Sequence, residues 1–331
     1  MPLVLLLGPT AGGKTALGVA LAERLGCRVL SVDSRQIYVG MDIGTAKPTP
    51  EERRGIPHEL IDLTPPDRPL TLHSFCALAG PLIEAERRAA GLALLVGGSG
   101  LYQQALGHGL LPPAVPPQPE LRRQLEALDP LVRWGLLRSA DPEAAARLHP
   151  ADTVRTVRAL EVLYGSGRPL SRQQGRRPPP GPVLELGLDP PDLRQRIATR
   201  TAAMLGAGLA DEAEGLRQRF GADLPLLRTI GYAEALAFVD GRLDRDAAQE
   251  EINRRTWQFA RRQRTWFRHR HRPLWLDPDA PLTPALAAVR SVAGYCEGST
   301  TCPIEPPPLL NGPTPSPLRP SRPCPRTSEH Q

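Results

Sequence analysis

Short runs that are apolar at almost every position alternate along the chain with longer stretches in which apolar residues recur every three or four positions. The runs are LVLLL at 3–7, RVLSVD at 28–33, ELIDL at 59–63, LALLVGG at 92–98, VLELGL at 183–188 and PLWLD at 273–277. Runs of this length predict strands, and the intervening helical period predicts amphipathic helices. Strands alternating with helices predict an α/β fold, a parallel sheet covered by helices on both faces.

Two proline-rich stretches interrupt the alternation, PPAVPPQP at 112–119 and RRPPPGP at 176–182. Between them the pattern is helical throughout. Such stretches are either ordinary surface loops or stiff hinges carrying an inserted domain. The second reading divides the chain into a core at 1–112, an inserted small helical domain at 113–182, a continuation of the core with basic helices at 183–296, and a tail at 297–331. The tail is rich in proline and polar residues, has little to bury, and is expected to be disordered.

The first strand runs directly into GPTAGGKT: Gly8, Pro9, Thr10, Ala11, Gly12, Gly13, Lys14 and Thr15. Glycines at this spacing let backbone N–H groups turn toward an anion, and a helix starting near Lys14 adds its positive end. Lys14 would reach the outer phosphate and Thr15 would offer a hydroxyl to a magnesium ion. The sheet is therefore expected to be of the P-loop type. Whether the bound phosphates belong to a nucleoside triphosphate is a separate question. A hydrolase or motor normally carries a second acid on a later strand, but LALLVGGSG ends in glycines and Ser99. The acid at a strand end is Asp33, on the strand after the first helix. It could be a helix cap, a magnesium ligand, or a general base for a nucleophile brought to a phosphate ester.

Composition narrows the class. With 331 residues and 40% hydrophobic content the chain can bury a sizeable core, and no apolar run is long enough to span a membrane. The opening residues enter a strand without a leader-like pattern, and Cys27, Cys76, Cys296, Cys302 and Cys324 show no paired spacing. Free thiols of a cytoplasmic protein are expected. The net charge is +6, and of 41 basic residues only Lys14 and Lys47 are lysines. Where arginine replaces lysine nearly everywhere, the two that persist mark places suited to a compact ammonium.

GPTAGGKT, SVDSRQIYVGMDIGTAKP (31–48), PHELID (57–62) and VGGSGLY (96–102) closely resemble the tRNA dimethylallyltransferases. LHPADTVRTVRALEV, RTIGYAEAL and RRQRTWFR extend the resemblance, which runs from about residue 3 to 290. It implies transfer of a dimethylallyl group from dimethylallyl diphosphate to N6 of the adenine 3′ of the anticodon in tRNA, with Mg²⁺ as cofactor and no nucleotide split. Lys14, the backbone of Gly12 and Gly13, and Mg²⁺ on Thr15 would then stabilise the leaving diphosphate. By its place in the motif Asp33 corresponds to the base, Ser99 stands where the family commonly has threonine near the diphosphate, and Arg200 matches a diphosphate-binding arginine. Trp257 stands where arginine is expected. The resemblance also implies tRNA contact at Asp33, Ser34, Arg35 and Gln36, at Thr153, Val154, Arg155, Thr156 and Val157, and at Arg228, Thr229, Ile230, Gly231, Tyr232 and Ala233.

The segment RRTWQFARRQRTWFRHRHR (254–272) sets basic side chains among aromatics, as a polyanion would require. The alternative for Phe259, Trp266 and Phe267 is burial in an amphipathic helix. Arg155 and Arg158 offer a second basic surface. The target adenine is expected to be flipped into a channel ending at Asp33. The partners expected are the tRNA anticodon stem-loop and the prenyl donor, with no membrane and a monomeric chain. The rivals are a small-molecule kinase, which shares the strand–loop–helix start, and a non-catalytic RNA-binding protein.

Overall fold

The computed structural model describes residues 1–294. The tail expected at 297–331, with Cys296, Cys302 and Cys324, lies outside the described residues. Cys27 and Cys76 are free thiols. Among the described residues no helix is long and apolar enough to cross a membrane.

Among the described residues eight strands occur in chain order: β1 (Leu3–Leu7), β2 (Val29–Ser31), β3 (His58–Glu59), β4 (Ala93–Val96), β5 (Leu110–Leu111), β6 (Gly175–Arg176), β7 (Val183–Gly187) and β8 (Leu274–Trp275). Six of them form one sheet in the order β3-β2-β4-β1-β7-β8, with every neighbouring pair parallel. β1 is central. Leu3 pairs with Ala93 on one side and Val183 on the other. All five of its residues are 0% exposed. Leu3, Leu5 and Leu7 enter one apolar cluster while Val4 and Leu6 enter the other. Side chains alternate across a strand, so a strand covered on both faces must be apolar at every position. LVLLL is that strand.

Helices Lys14–Leu25 and Leu282–Ala293 cover one face through Leu17, Leu21, Leu286 and Val289. The opposite face carries Leu72–Ala90, Gly100–His108, Leu209–Phe220, Tyr232–Val239 and part of Arg245–Arg270. The last of these has 26 residues and is about 39 Å long at 1.5 Å per residue. Asp244 caps it by accepting from Ala247 N–H at 2.7 Å.

The strands built on the runs after LVLLL are all shorter than those runs, β3 most of all. Of ELIDL only Glu59 belongs to β3, because Leu60 and Asp62 take left-handed φ angles of 64° and 52°. Such angles strain an L-residue, and here they turn Asp62 toward Lys47. The Lys47 ammonium is buried and donates to Tyr38 O at 2.8 Å, Asp42 Oδ1 at 2.6 Å and Asp62 Oδ1 at 2.5 Å. Three acceptors closing on one point match the three donors of an ammonium and not the planar fork of a guanidinium.

Helices Pro119–Ala127, Pro130–Ala140, Pro142–Ala145, Thr153–Ser166 and Leu170–Gln173 gather around a third cluster containing Leu125, Leu137, Val157 and Leu160. The chain leaves for this segment through β5 and returns through β6, and these two strands pair antiparallel. Glu161 is completely buried within it and binds Arg122 Nε at 2.7 Å, Gln118 N at 2.6 Å and the Arg158 guanidinium. Arg158, expected on a basic surface, is thus paired, and it also donates to Val115 O at 2.8 Å.

Replacing Lys47 by arginine should lower the unfolding free energy by about 2 kcal/mol, the worth of charged hydrogen bonds that a fork cannot reproduce. Urea unfolding with an unchanged midpoint would show that a positive charge alone suffices there.

Candidate active site

Three parallel strands end side by side, and their following loops build the site. β1 leads into residues 8–13, β2 into 32–36 and β4 into 97–99. Crevices at the carboxyl ends of such strands are where open α/β sheets bind ligands. The loops are pressed together. A Cβ on Gly8, whose φ is 146°, would come 2.2 Å from Leu188 O, and one on Gly97 would come 2.0 Å from Val32 O. Val32 N–H donates to Val96 O at 2.8 Å.

Gly13, at φ 88°, precedes the helix that starts at Lys14. The N–H groups of Gly13, Lys14 and Thr15 have no acceptor among the described residues, as at any helix start. Gly12 was expected to offer its N–H as well, but that group donates to Pro9 O at 3.2 Å and closes the loop's own turn. Gly8 and Pro9 are buried beneath. Residues 10–15 line a cavity of about 970 Å³ together with Asp33, Gln36 and Arg200.

The charges in this cavity are unbalanced. Arg200 has no hydrogen-bond or ion-pair partner among the described residues, and Lys14 Nζ donates only to Pro9 O, at 2.6 Å. Burial and then the nearby Arg200 guanidinium bring the Lys14 ammonium from 10.5 down to about 8, against an upward pull from Asp33. Arg200 is likewise lowered by burial, with Asp33 and Glu52 opposing. Two cations lacking carboxylates is the electrostatics of an anion site. Asp33 accepts from Arg35 N–H through Oδ1 at 2.8 Å. Its Oδ2 has no partner among the described residues and can take a proton or a hydrogen bond.

A second cavity of about 460 Å³ adjoins the first. Thr10, Ala11, Asp33, Arg200 and Phe259 line both, so the carboxylate and the guanidinium stand at the boundary. Its walls include the apolar Ile197, Met204, Ile230 and Ile252, together with Ser34, Arg35 and the Arg228–Tyr232 segment. Ser99 lines this second cavity together with Thr10 and Ala11 of the glycine-rich loop. Its Oγ accepts from Ser34 N–H at 2.9 Å and holds the Asp33 loop in place.

Other expected positions are distributed. Gln36 accepts from Ser31 Oγ at 3.1 Å and donates to Ala46 O at 3.0 Å, so its amide is occupied within the fold. Thr153, Val154, Arg155, Thr156, Val157 and Ala233 line neither cavity. Thr156 and Val157 are buried at 0% and 3% exposure, leaving Val154 and Arg155 as the exposed members of that segment. Arg155 meets Arg261, Arg262, Trp266, His269 and Arg270 of the long helix around a separate groove of about 510 Å³. The aromatics of that helix divide. Phe267 is fully buried, while Phe259 is 39% exposed and faces the cavities. Trp257 packs on Leu193 and Ile197 beneath the Arg194 guanidinium, 4.6 Å above the ring.

Two residues that no motif singled out control the loops. Gln263 is buried, accepts from Thr10 N–H at 2.8 Å and donates to Gly98 O at 2.8 Å, bridging the loops after β1 and β4. Glu212 accepts from the N–H groups of Asp42, Ile43 and Gly44 at 3.0, 2.8 and 3.0 Å and from Tyr232 Oη at 2.6 Å. Gln263 lay inside the run RRQRTWFR, marked there only by its neutrality among arginines. Glu212 resembled any other helix-surface acid.

The chain matches the family model described as IPP transferase over residues 36–270, and one described as isopentenyl transferase over residues 1–70. A tRNA dimethylallyltransferase of Synechococcus sp. (strain RCC307) is 59% identical, covering 87% of this chain and 97% of that protein. A tRNA delta(2)-isopentenylpyrophosphate transferase of Staphylococcus epidermidis is similar in structure, with a TM-score of 0.62, 31% identity, and coverage of 88% of this chain and 97% of that one. A eukaryotic dimethylallyltransferase acting on tRNA has a TM-score of 0.74 at 26% identity, covering 88% of this chain and 78% of that one.

Gln263→Leu removes the bridge and leaves the Thr10 N–H and the Gly98 carbonyl without partners. Calorimetric binding of inorganic diphosphate should weaken about tenfold, since one disordered loop donor set costs a kcal/mol or more. Unchanged affinity would mean that the loop keeps its shape unaided.

Proposed function

The chain belongs to the tRNA dimethylallyltransferases, which transfer a dimethylallyl group to a tRNA adenine, and from that premise we propose how its residues divide the work. The prenyl diphosphate lies in the larger cavity, its phosphates on the free N–H groups of Gly13, Lys14 and Thr15 and between the Lys14 and Arg200 side chains. The flipped adenine 3′ of the anticodon enters from the smaller, partly apolar cavity. The single observation that carries this reading is Asp33 at the boundary of the two cavities, with one carboxylate oxygen anchored to Arg35 N–H and the other unpartnered.

In the transfer, adenine N6 attacks C1 of the prenyl group, and the C1–O bond breaks with its electrons passing to the diphosphate. The N6 proton goes to Asp33. Lys14 and Arg200 neutralise the charge growing on the leaving oxygen, in a site where burial strengthens each interaction. The Thr15 hydroxyl has no partner among the described residues and faces the same cavity, with Asp33 and Glu52 on its walls, so the donors there are hard oxygens. That set fits Mg²⁺, which is bound chiefly through phosphates and a few protein oxygens. When bound on Thr15 the ion would add further neutralisation of the diphosphate.

The anticodon arm is proposed to lie along the groove between Arg155 and the long helix, where Arg261, Arg262 and Arg270 offer positive charge. The helical segment at 119–173 then closes on it about the paired strands β5 and β6. This reading also places Arg228 and Thr229 at the mouth of the base cavity.

With unmodified tRNA, Mg²⁺, labelled dimethylallyl diphosphate and no ATP, the purified protein should label tRNA. In single-turnover form, Asp33→Asn should slow the chemical step by roughly 10²–10⁴-fold, the usual worth of a general base, with the tRNA dissociation constant unchanged. Loss of tRNA binding with normal chemistry would remove Asp33 from the role of base.

The depressed Lys14 value sets a pH dependence. Below about pH 8 its ammonium is charged and pairs with diphosphate, and above that the free enzyme loses the charge. Donor kcat/KM should therefore fall as pH rises through 8, approaching tenfold per unit, while kcat changes less because bound diphosphate restores the ammonium. Lys14→Arg should flatten that profile. A wild-type profile level to pH 10 would place Lys14 off the diphosphate.

A further inference from the structure

One charged cluster lies outside both cavities and outside the basic groove. Glu185 sits in mid-strand on β7, between Leu184 and Leu186, with its side chain 9% exposed. His108, at the end of helix Gly100–His108, approaches it through Nε2 at 2.7 Å. His271, just past the end of the long helix, approaches through Nδ1 at 2.7 Å. Both imidazoles converge on the same oxygen, Oε1, while Oε2 accepts from Arg272 N–H at 2.8 Å. The three donor atoms lie within 4.8 Å of one another, and the two rings are 4.9 Å apart.

We propose that His108 Nε2, Glu185 Oε1 and His271 Nδ1 form a binding site for one divalent cation of the zinc class. Two imidazole nitrogens and one carboxylate oxygen make a borderline donor set, suited to Zn²⁺ or Co²⁺ and not to Mg²⁺, which takes oxygen ligands. The cation is therefore distinct from one held with the diphosphate. Each ligand comes from a different element and is already directed at one point. Arg272 N–H holds the far oxygen of Glu185, as an outer partner of a metal-bound carboxylate does. The second nitrogen of His271, Nε2, is buried with no hydrogen-bond partner among the described residues. Without an ion, Nδ1 donates its proton to Glu185; a bound ion would displace that proton, and with no partner on Nε2 the ring can carry it there while Nδ1 gives its lone pair to the ion. His108 is 29% exposed and provides both the route in and the position for a coordinated water. The ion would staple three parts of the core: the helix after the β4 loop, β7 beside the phosphate-loop strand, and the end of the RNA-facing helix.

The test uses the full chain, stripped with a chelator and titrated with Zn²⁺ against a chromophoric competitor. One tight equivalent is expected, weakened about 100-fold in His108→Ala, a partly exposed position whose loss leaves Glu185 held by His271 and the Arg272 N–H, so that the metal-free variant still unfolds in one cooperative thermal transition. Glu185→Gln should weaken it comparably. The Co²⁺-loaded protein should show visible d–d bands without a thiolate charge-transfer band. The proposal fails if the wild type holds no stoichiometric Zn²⁺, or if His108→Ala keeps wild-type affinity. It also fails if cobalt shows thiolate ligation, since cysteines would then be the ligands and the cluster a hydrogen-bonded network only.

Discussion

Two cations with no carboxylate of their own are the constraint around which the site is organised. Lys14 and Arg200 border one cavity, burial lowers the proton affinity of both, the Arg200 guanidinium lowers that of Lys14 further, and Asp33 opposes the shift at each. Buried charge without a partner is costly. An anion that brings several oxygens between them relieves that cost, and one whose charge grows during the reaction relieves it most. In the proposed transfer this arrangement would stabilise a leaving diphosphate more than the intact donor.

Such a site holds only if its loops do not collapse onto the cations, and the restraints come from far along the chain. Gln263 links the loops after β1 and β4 from a helix 253 residues beyond Thr10. Ser99 fixes the Asp33 loop by the Ser34 N–H, and Glu212 gathers three N–H groups of residues 42–44 while binding Tyr232. Gln263 shares its helix with the arginines of the basic groove, and Tyr232 lines the smaller cavity. On the proposed division of the site, the elements that would face RNA are thus the ones that shape the phosphate loop. A helix of fixed pitch carries both faces, so a displacement on one is felt on the other.

The scarcity of lysine has a physical account at both places where it persists. At Lys47 three acceptors converge from the main chain and two carboxylates within 2.5–2.8 Å, which suits a small tetrahedral donor. At Lys14 the ammonium lies within the curve of the loop, close enough to donate to Pro9 O. A guanidinium needs more room and a planar partner.

The buried strands, the phosphate loop and Asp33 were legible in the sequence because each depends on local spacing. A strand covered on both faces is apolar throughout, and a loop that approaches Leu188 O at Gly8 requires glycine. The proline stretches at 112–119 and 176–182 flank the helices at 119–173. What local spacing could not reveal was which polar group faces which partner. Arg158 and Arg200 both sit on helices amid similar residues, yet one is tied to buried Glu161 and the other has no partner among the described residues. Thr156 and Arg155 are neighbours, one inside and one exposed. Ser99 turned to the Asp33 loop, and ELIDL broke where Asp62 swings to Lys47. The sequence by itself determined the layers, the anion loop and the family. Only the tertiary structure decided which charges stay unpaired and which side chains hold the loops open, because those outcomes rest on contacts between residues up to hundreds of positions apart.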